Sequence, residues 1–199
     1  MSRYTDPKCK LCRRAGEKLF LKGERCFSDK CAINRKPYPP GGTMSFSRRP
    51  STYGTQLREK QTLKSVYGLT ERQLKNIIEE AVAAGGDRGL KLLQLIEMRL
   101  DNVVFLLGIA PSRAAARQAV THGKIAVNGK KMSIPSYTVS VGNIISVRDA
   151  SFQTIPSSGL STPRWLKKGV KGGEVMVEPT KEMLSGEINE NLVIEYYSR

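Results

Sequence analysis

From residue 51 onward, apolar positions recur with the period of a helix and the pattern breaks at glycines. Pro50 and Ser51 open a segment in which Leu57, Leu63 and Val66 share one face and Arg58, Lys60 and Lys64 the other; Gly68 ends it. Thr70 and Gln73 then form a capping-box signature ahead of Leu74, Ile77, Ile78, Ala81 and Val82. Gly85-Gly86 breaks this second helix, and a third begins at Leu90 and runs to Leu100. These stripes predict the core of a helical domain rather than a cofactor pocket.

Past Met98 the pattern shortens. Val103, Val104, Leu106 and Leu107 predict an apolar helix, and Ser112 can cap a second one that Gly123 stops. On that second helix Ala115, Ala116, Ala119 and Val120 fall on one arc, while Arg113, Arg117, Gln118, Thr121 and His122 fall on the other. Ile125 and Val127 alternate with polar neighbours up to Asn128-Gly129, a strong hairpin signal, with Lys124, Lys130 and Lys131 around it. Residues 134–139 and 144–147 predict further short strands. Residues 153–173 are rich in Ser, Gly and Pro and predict a loop carrying Trp165, and 191–197 is β-prone and needs a partner earlier in the chain.

Charge changes this picture. The formal charge is +15, and residues 1–70 carry sixteen Lys and Arg against five acids, whereas 174–199 is net −4. Residues 98–148 carry seven Lys and Arg against one acid, Asp101. A merely solvated helix face mixes signs, because like charges repel. A one-signed platform on a small apolar base fits a phosphate backbone instead. No apolar run reaches the ~18 residues of a spanning helix, and the first ten residues hold no leader-like hydrophobic stretch. The expectation is therefore a cytoplasmic protein with no membrane partner. Aromatics are 7% of the chain, too few for one large core.

Cys9-x-x-Cys12 and Cys26-x-x-x-x-Cys31 lie thirteen residues apart. Two close pairs supply the four soft ligands that tetrahedral zinc takes, and Lys8, Lys10, Arg13 and Arg14 nearby favour thiolates. Disulfides are disfavoured in a reducing compartment, and an iron–sulfur cluster is the alternative that spacing leaves open. Residues 1–45 contain few large apolar side chains, so a metal would supply folding free energy there.

The helix–helix–hairpin order resembles the small RNA-binding module named after the fourth small-subunit ribosomal protein. Over the whole chain the order is the cysteine quartet, Arg35-Lys-Pro-Tyr-Pro-Pro-Gly41, Leu57-Arg-Glu-Lys-Gln61, Val66-Tyr-Gly68, Thr70-Glu-Arg-Gln73, the module, and Val193-Ile-Glu-Tyr-Tyr-Ser-Arg199. It resembles the family of bacterial-type small ribosomal subunit protein four, in its metal-binding form. The resemblance implies an α+β protein. Its parts would be a four-cysteine knuckle (1–45), a helical ribosomal-RNA-binding domain (46–97, completed by 174–199), the inserted module with a small sheet (98–150) and a linker (151–173). It implies a primary binder of small-subunit ribosomal RNA that nucleates assembly at a multi-helix junction. Ribosomal protein five and messenger RNA near its entry site are the implied neighbours, with translational accuracy affected and self-repression a further possibility.

The RNA contacts implied or expected are Arg48, Arg49, Arg58, Lys60, Lys64, Arg113, Arg117, Gln118, His122, Lys124, Asn128, Lys130 and Lys131. The sequence departs from the family after the Pro-Pro-Gly turn, at residues 42–46, and at 150–173, where Pro156, Gly159 and Pro163 interrupt a helix expected there. No enzyme is expected. An RNA-modifying synthase that shares the module needs a catalytic domain, and only 52 residues follow Val147. A P-loop is excluded, since residues 123–131 have five residues between glycines and Lys131 where Ser or Thr is required. A DNA-reading zinc finger needs a recognition helix that this cysteine segment does not predict, so DNA is not an expected partner.

Overall fold

Ser51 and Gly68 bracket the first long helix as their chemistry dictates. Its N-terminus is closed by Ser51 Oγ accepting the Gly54 N–H, and Gly68 ends it in the left-handed conformation at φ 62°. In the computed structural model, which describes residues 4–41, 51–148, 161–184 and 188–198, this helix is α3 (Thr52–Tyr67). It follows α1 (Cys9–Ala15) and α2 (Ala32–Arg35) and precedes α4 (Glu71–Ala83) and α5 (Arg88–Glu97). The chain divides into two units, residues 1–92 with 186–199, and residues 93–185. Among the described residues no helix is long and apolar enough to cross a membrane.

In the first unit Thr70 and Gln73 make the full reciprocal capping box at the start of α4, worth about 1 kcal/mol. Leu63, Leu74, Ile78 and Leu92 are buried. The β-prone end of the chain is instead a helix, α8 (Glu190–Tyr197), packed on α3. Asn189 Oδ1 accepts the N–H groups of Asn191 and Leu192 and so caps it, while Glu190 suits the positive end of the helix dipole. Val193 is fully buried, which contributes about 2 kcal/mol. Tyr196 and Tyr197 follow on the same helical face. Burial of that face on α3 overrides the intrinsic strand preference of Val, Ile and Tyr.

A polar clasp joins α3, α4 and α8. The Glu71 carboxylate accepts from Lys60 Nζ at 2.6 Å, from Lys64 Nζ at 3.1 Å and from the Tyr197 hydroxyl at 2.6 Å. The Lys60 amine also sits 4.3 Å from the centre of the Tyr196 ring. Burial pushes the Glu71 carboxyl up, but these bonds outweigh it and hold the group at about 2.

The second unit contains α6 (Leu100–Leu106), α7 (Arg113–Thr121) and five strands: β1 (Ile125–Val127), β2 (Lys130–Lys131), β3 (Ile144–Val147), β4 (Leu166–Gly169) and β5 (Gly172–Val175). The sheet is antiparallel in the order β2-β1-β3-β5-β4. Asn128 and Gly129 take positive φ (50° and 76°), as the β1–β2 hairpin turn requires. Val103, Val104, Leu107, Val120, Ile125, Ile145 and Trp165 form the core. The fold is thus α+β, with a small antiparallel sheet.

Two expectations fail here for identifiable reasons. Residues 134–139 form no strand beyond one bridge between Arg99 and Thr138. Pro135 lacks an N–H, and the carbonyls of Pro135 and Tyr137 accept the Asp101 and Leu100 N–H groups, closing the start of α6. The expected linker also ends earlier: residues 166–175 are β4 and β5, and Trp165 is 1% exposed. Gly172 and Gly173 are therefore strand residues. A Cβ on Gly172 would strike the Ile145 carbonyl, and one on Gly173 would strike Leu107 and the Lys167 carbonyl. It follows that β5 belongs to the second unit rather than to the returning segment, which the division starts at residue 186.

The clasp predicts a specific acid response. Glu71 ionises well below its ordinary 4.5 in the folded chain, so its contribution is complete above that ordinary value and is lost as pH falls toward about 2. Thermal melts should show the wild-type chain losing more stability than Glu71→Gln between about pH 6 and about pH 2.5. Parallel profiles would remove the clasp as a source of stability.

Candidate nucleic-acid interface

Ser112 Oγ accepts the Ala115 N–H and starts α7 as expected. Ala116, Ala119 and Val120 are buried, and Ala115 packs against the core. The opposite face is less simple than a row of solvated cations. Asp101, on the first turn of α6, is 4% exposed and accepts a two-pronged bond from Arg99 (Nε 3.1 Å, Nη2 3.0 Å). An Arg117 nitrogen lies 3.6 Å from the same carboxylate. One residue on, Asn102 accepts from Arg113 Nε at 2.8 Å and donates to the Glu97 carbonyl and carboxylate. The Arg113 guanidinium also stands 4.7 Å from the centre of the Phe105 ring.

Arg113 and Arg117 are therefore oriented from beneath by α6. Arg99, Asp101 and Asn102 supply this support, whereas the sequence reading used Asp101 only as the lone acid of the segment. The available signal was a run of charged and amide residues inside an otherwise apolar helix start.

Gln118 and His122 are exposed on α7 and at its end, and Lys124 is half-buried. In β2 successive side chains point to opposite faces. Lys131 lies across Gly123, at the C-terminal end of α7, so the alternation turns Lys130 the other way. The structure thus gathers Arg113, Arg117, Gln118, His122, Lys124 and Lys131 about α7 and separates Lys130 from them. Asn128 has a structural task, since its Oδ1 accepts the Ile144 N–H at 2.8 Å.

In the first unit Arg58 is exposed on α3. Lys60 is not: it is 5% exposed, with its amine engaged by Glu71 and Tyr196. The helical pattern placed it on the polar face, but α8 covers that part of α3. Lys64 shares Glu71. Arg48, Arg49 and the departure at residues 42–46 lie outside the described residues, as do 149–160.

The four cysteines are not joined to one another by disulfides in the structure. Among the described residues no group of three or more His, Cys, Asp or Glu is arranged as a metal site, and the expected knuckle is not shown as a formed centre. The four cysteines nonetheless line one cavity. Cys9 and Cys12 come from α1, Cys26 from the end of a single 3₁₀ turn and Cys31 from the residue before α2. Burial pushes the Cys12 thiol up, and the charges of Cys26, Cys9 and Cys31 push it further, against a backbone bond from Leu19. Burial also raises Cys26, whose sulfur accepts the Lys22 N–H at 3.3 Å.

Residues 3–97 match the family described as the ribosomal protein S4/S9 N-terminal domain, and residues 98–145 match the S4 domain. Small ribosomal subunit protein uS4 of Halothermothrix orenii is 47% identical, and uS4A of Clostridium botulinum 48%, each over 100% of both chains. The chain belongs to the ribosomal protein uS4 family. The uS4 of Dictyoglomus turgidum is 46% identical, again over both full lengths. This is a family of ribosomal proteins, not a class of enzymes. The two matched segments meet between α5 and α6, and residues 146–185 of the second unit lie beyond both.

Asp101→Asn keeps the shape of the side chain and removes its charge, leaving Arg99 buried without a counterion. We expect the second unit to lose about 3 kcal/mol, read by denaturant unfolding with the fluorescence of Trp165, the only tryptophan. A change within about 0.5 kcal/mol would make the ion pair dispensable.

Proposed function

We propose that this protein is a structural constituent of the small ribosomal subunit, binding ribosomal RNA by phosphate and shape recognition. One observation carries the reading. The only acid between residues 98 and 148, Asp101, is buried beneath the arginines it orients, so this stretch presents cations and no carboxylate to solvent. Lysine and arginine neutralise phosphates and release counterions, which makes affinity fall steeply with salt. The deep, narrow major groove of A-form RNA keeps side chains from reading base edges, so backbone, 2′-hydroxyl and junction shape are what such a face recognises.

Arg113, Arg117, Gln118, His122, Lys124 and Lys131 form the contacting group about α7. Lys130, Asn128, Arg58 and the connector arginines Arg48 and Arg49 add to it. Lys60 and Lys64 act through Glu71, by holding the helix that carries Arg58. Family membership, rather than any feature of the surface, supports the finer placement. That placement is early docking at a multi-helix junction that nucleates assembly, with ribosomal protein five and the messenger RNA entry as neighbours. Translational accuracy, repression of its own messenger RNA and a cytoplasmic location belong to the same reading.

Zinc held by Cys9, Cys12, Cys26 and Cys31 is the second part of the proposal. Four thiolates in one cavity repel one another, and a dication in place of their protons removes that penalty. The N–H groups directed at the Cys12 and Cys26 sulfurs favour the same charged form. Few large apolar side chains lie in residues 4–41, so the metal would supply folding free energy there. An iron–sulfur cluster uses the same ligands and would be recognised by iron and sulfide in place of zinc.

A salt titration against small-subunit ribosomal RNA, with large-subunit RNA and duplex DNA as competitors, tests the first part. We expect selection of the small-subunit RNA, and Lys131→Ala should lower the salt slope by about one. Equal binding to all three polymers would reduce the protein to a generic polyanion binder. For the second part, Cys9→Ser should abolish stoichiometric zinc in metal analysis while Trp165-monitored unfolding of the second unit stays unchanged. Metal retained by that variant would break the four-ligand set.

A further inference from the structure

The part of the sheet that the family segments do not cover extends the basic face. At one end of the sheet the strands terminate side by side. The Arg148 N–H bonds the Lys124 carbonyl at 2.8 Å, next to the first residue of β1. Beside it the Val147 N–H bonds the Lys171 carbonyl at 3.0 Å, and Gly169 pairs with Gly172 to close the β4–β5 hairpin. Lys124, Arg148 and Lys171 therefore flank the ends of β1, β3 and β5 at one border of the sheet, with Lys168 on adjoining β4; the register turns Lys124 and Arg148 to one face of that border and Lys171 and Lys168 to the other. At ~4.8 Å per strand spacing this row along the border is ~14 Å long.

Arg148, Lys168 and Lys171 are exposed, and Val170, at the hairpin tip between the two lysines, is 99% exposed. Lys168 reaches back over Gly108, just past the C-terminal end of α6. At the other end of the row Lys131, on neighbouring β2, reaches over Gly123 beyond α7. The described residues of these strand ends include no Asp or Glu; Asp149, which follows Arg148, is outside them. The one acid facing a hairpin lysine is Glu174, across from Lys167, one residue further in.

From this juxtaposition we infer that the sheet end bearing Lys124, Arg148, Lys171 and Lys168 is a second RNA-backbone contact, continuous through Lys131 with the α7 face. It takes a run of phosphates, with the Val170 tip against the sugar–base side of the strand. Such a row is a poor fit to a duplex groove, which a flat sheet end does not enter, and a good fit to backbone running along the edge of a junction. The inference rests on the RNA-binding reading above, and adds Lys168 and Lys171, which the sequence pattern assigned to a linker, together with Arg148.

The test uses the full chain and small-subunit ribosomal RNA. Lys168→Ala/Lys171→Ala should lower the salt slope by about two and weaken binding several-fold, with Lys168→Arg/Lys171→Arg restoring both. Hydroxyl-radical footprinting should show a backbone tract lost with the double alanine variant and kept with Lys131→Ala. Unchanged affinity and slope in the double alanine variant, with Lys131→Ala still impaired, would overturn the sheet-end contact and leave the RNA reading intact. An unchanged RNA footprint combined with lost binding of poly-glutamate would assign the row to an acidic protein segment and likewise overturn it. Failure of the wild-type chain to select the RNA would instead remove the underlying reading.

Discussion

Asp101 is a carboxylate at 4% exposure in a segment otherwise lacking acids, and the geometry of the basic face follows from it. Burying such a charge alone costs several kcal/mol, so the site is stable only with a well-aligned counterion. Arg99 supplies that with two parallel N–H bonds. The Asp101 backbone is fixed as well, because its N–H is held by the Pro135 carbonyl. A rigid anion at the first turn of α6 then draws Arg117, and its neighbour Asn102 draws Arg113. Arg113 and Arg117 are one helical turn apart on α7, and Asp101 and Asn102 are adjacent on α6. Each pairing restricts the other, and the two arginines emerge with a defined direction. Pre-organisation of this kind reduces the side-chain entropy lost on meeting a phosphate.

The same arrangement recurs in the first unit with a different result. Glu71 collects Lys60, Lys64 and the Tyr197 hydroxyl, and there the acid is the more exposed partner and the lysine is buried. Asp101 aims its cations, whereas Glu71 encloses one of them. Sequence position does not distinguish the two cases, since both lysines of α3 fall on the polar arc of their helix. The deciding element is α8, more than a hundred residues away in sequence, which covers that arc.

That difference describes how far the sequence was legible. Ser51, Gly68, Thr70, Gln73, Ser112 and the Asn128-Gly129 backbone all act within a few residues of themselves, and each performs the task its chemistry suggests. The α7 face could be read for the same reason. Non-local consequences could not. Residues 191–197 are β-prone in isolation and helical once Val193 has α3 to pack against. Gly172 and Gly173 read as linker residues and prove to be the places where no side chain fits between β5 and its neighbours. Likewise Lys130 and Lys131 look equivalent until pairing with β1 fixes their register and sends them to opposite faces.

Register has a further consequence for where charge accumulates. Strands in an antiparallel sheet end where their turns begin, and turn-flanking positions tolerate lysine because its ammonium stays in water. With five strands in register, residues as distant in sequence as 124, 148 and 171 are brought to one border. Net charge per segment hides this, because β5 carries Glu174 and the segment that follows is acidic. Glu174 lies inside the strand, opposite Lys167, while the lysines flanking the tip stand beyond it. The topology thus sorts a nearly balanced stretch into a basic border and a paired interior. A basic face limited to α7 would need no such sorting, and the glycines that let β5 approach β3 are what bring the two lysines to the border.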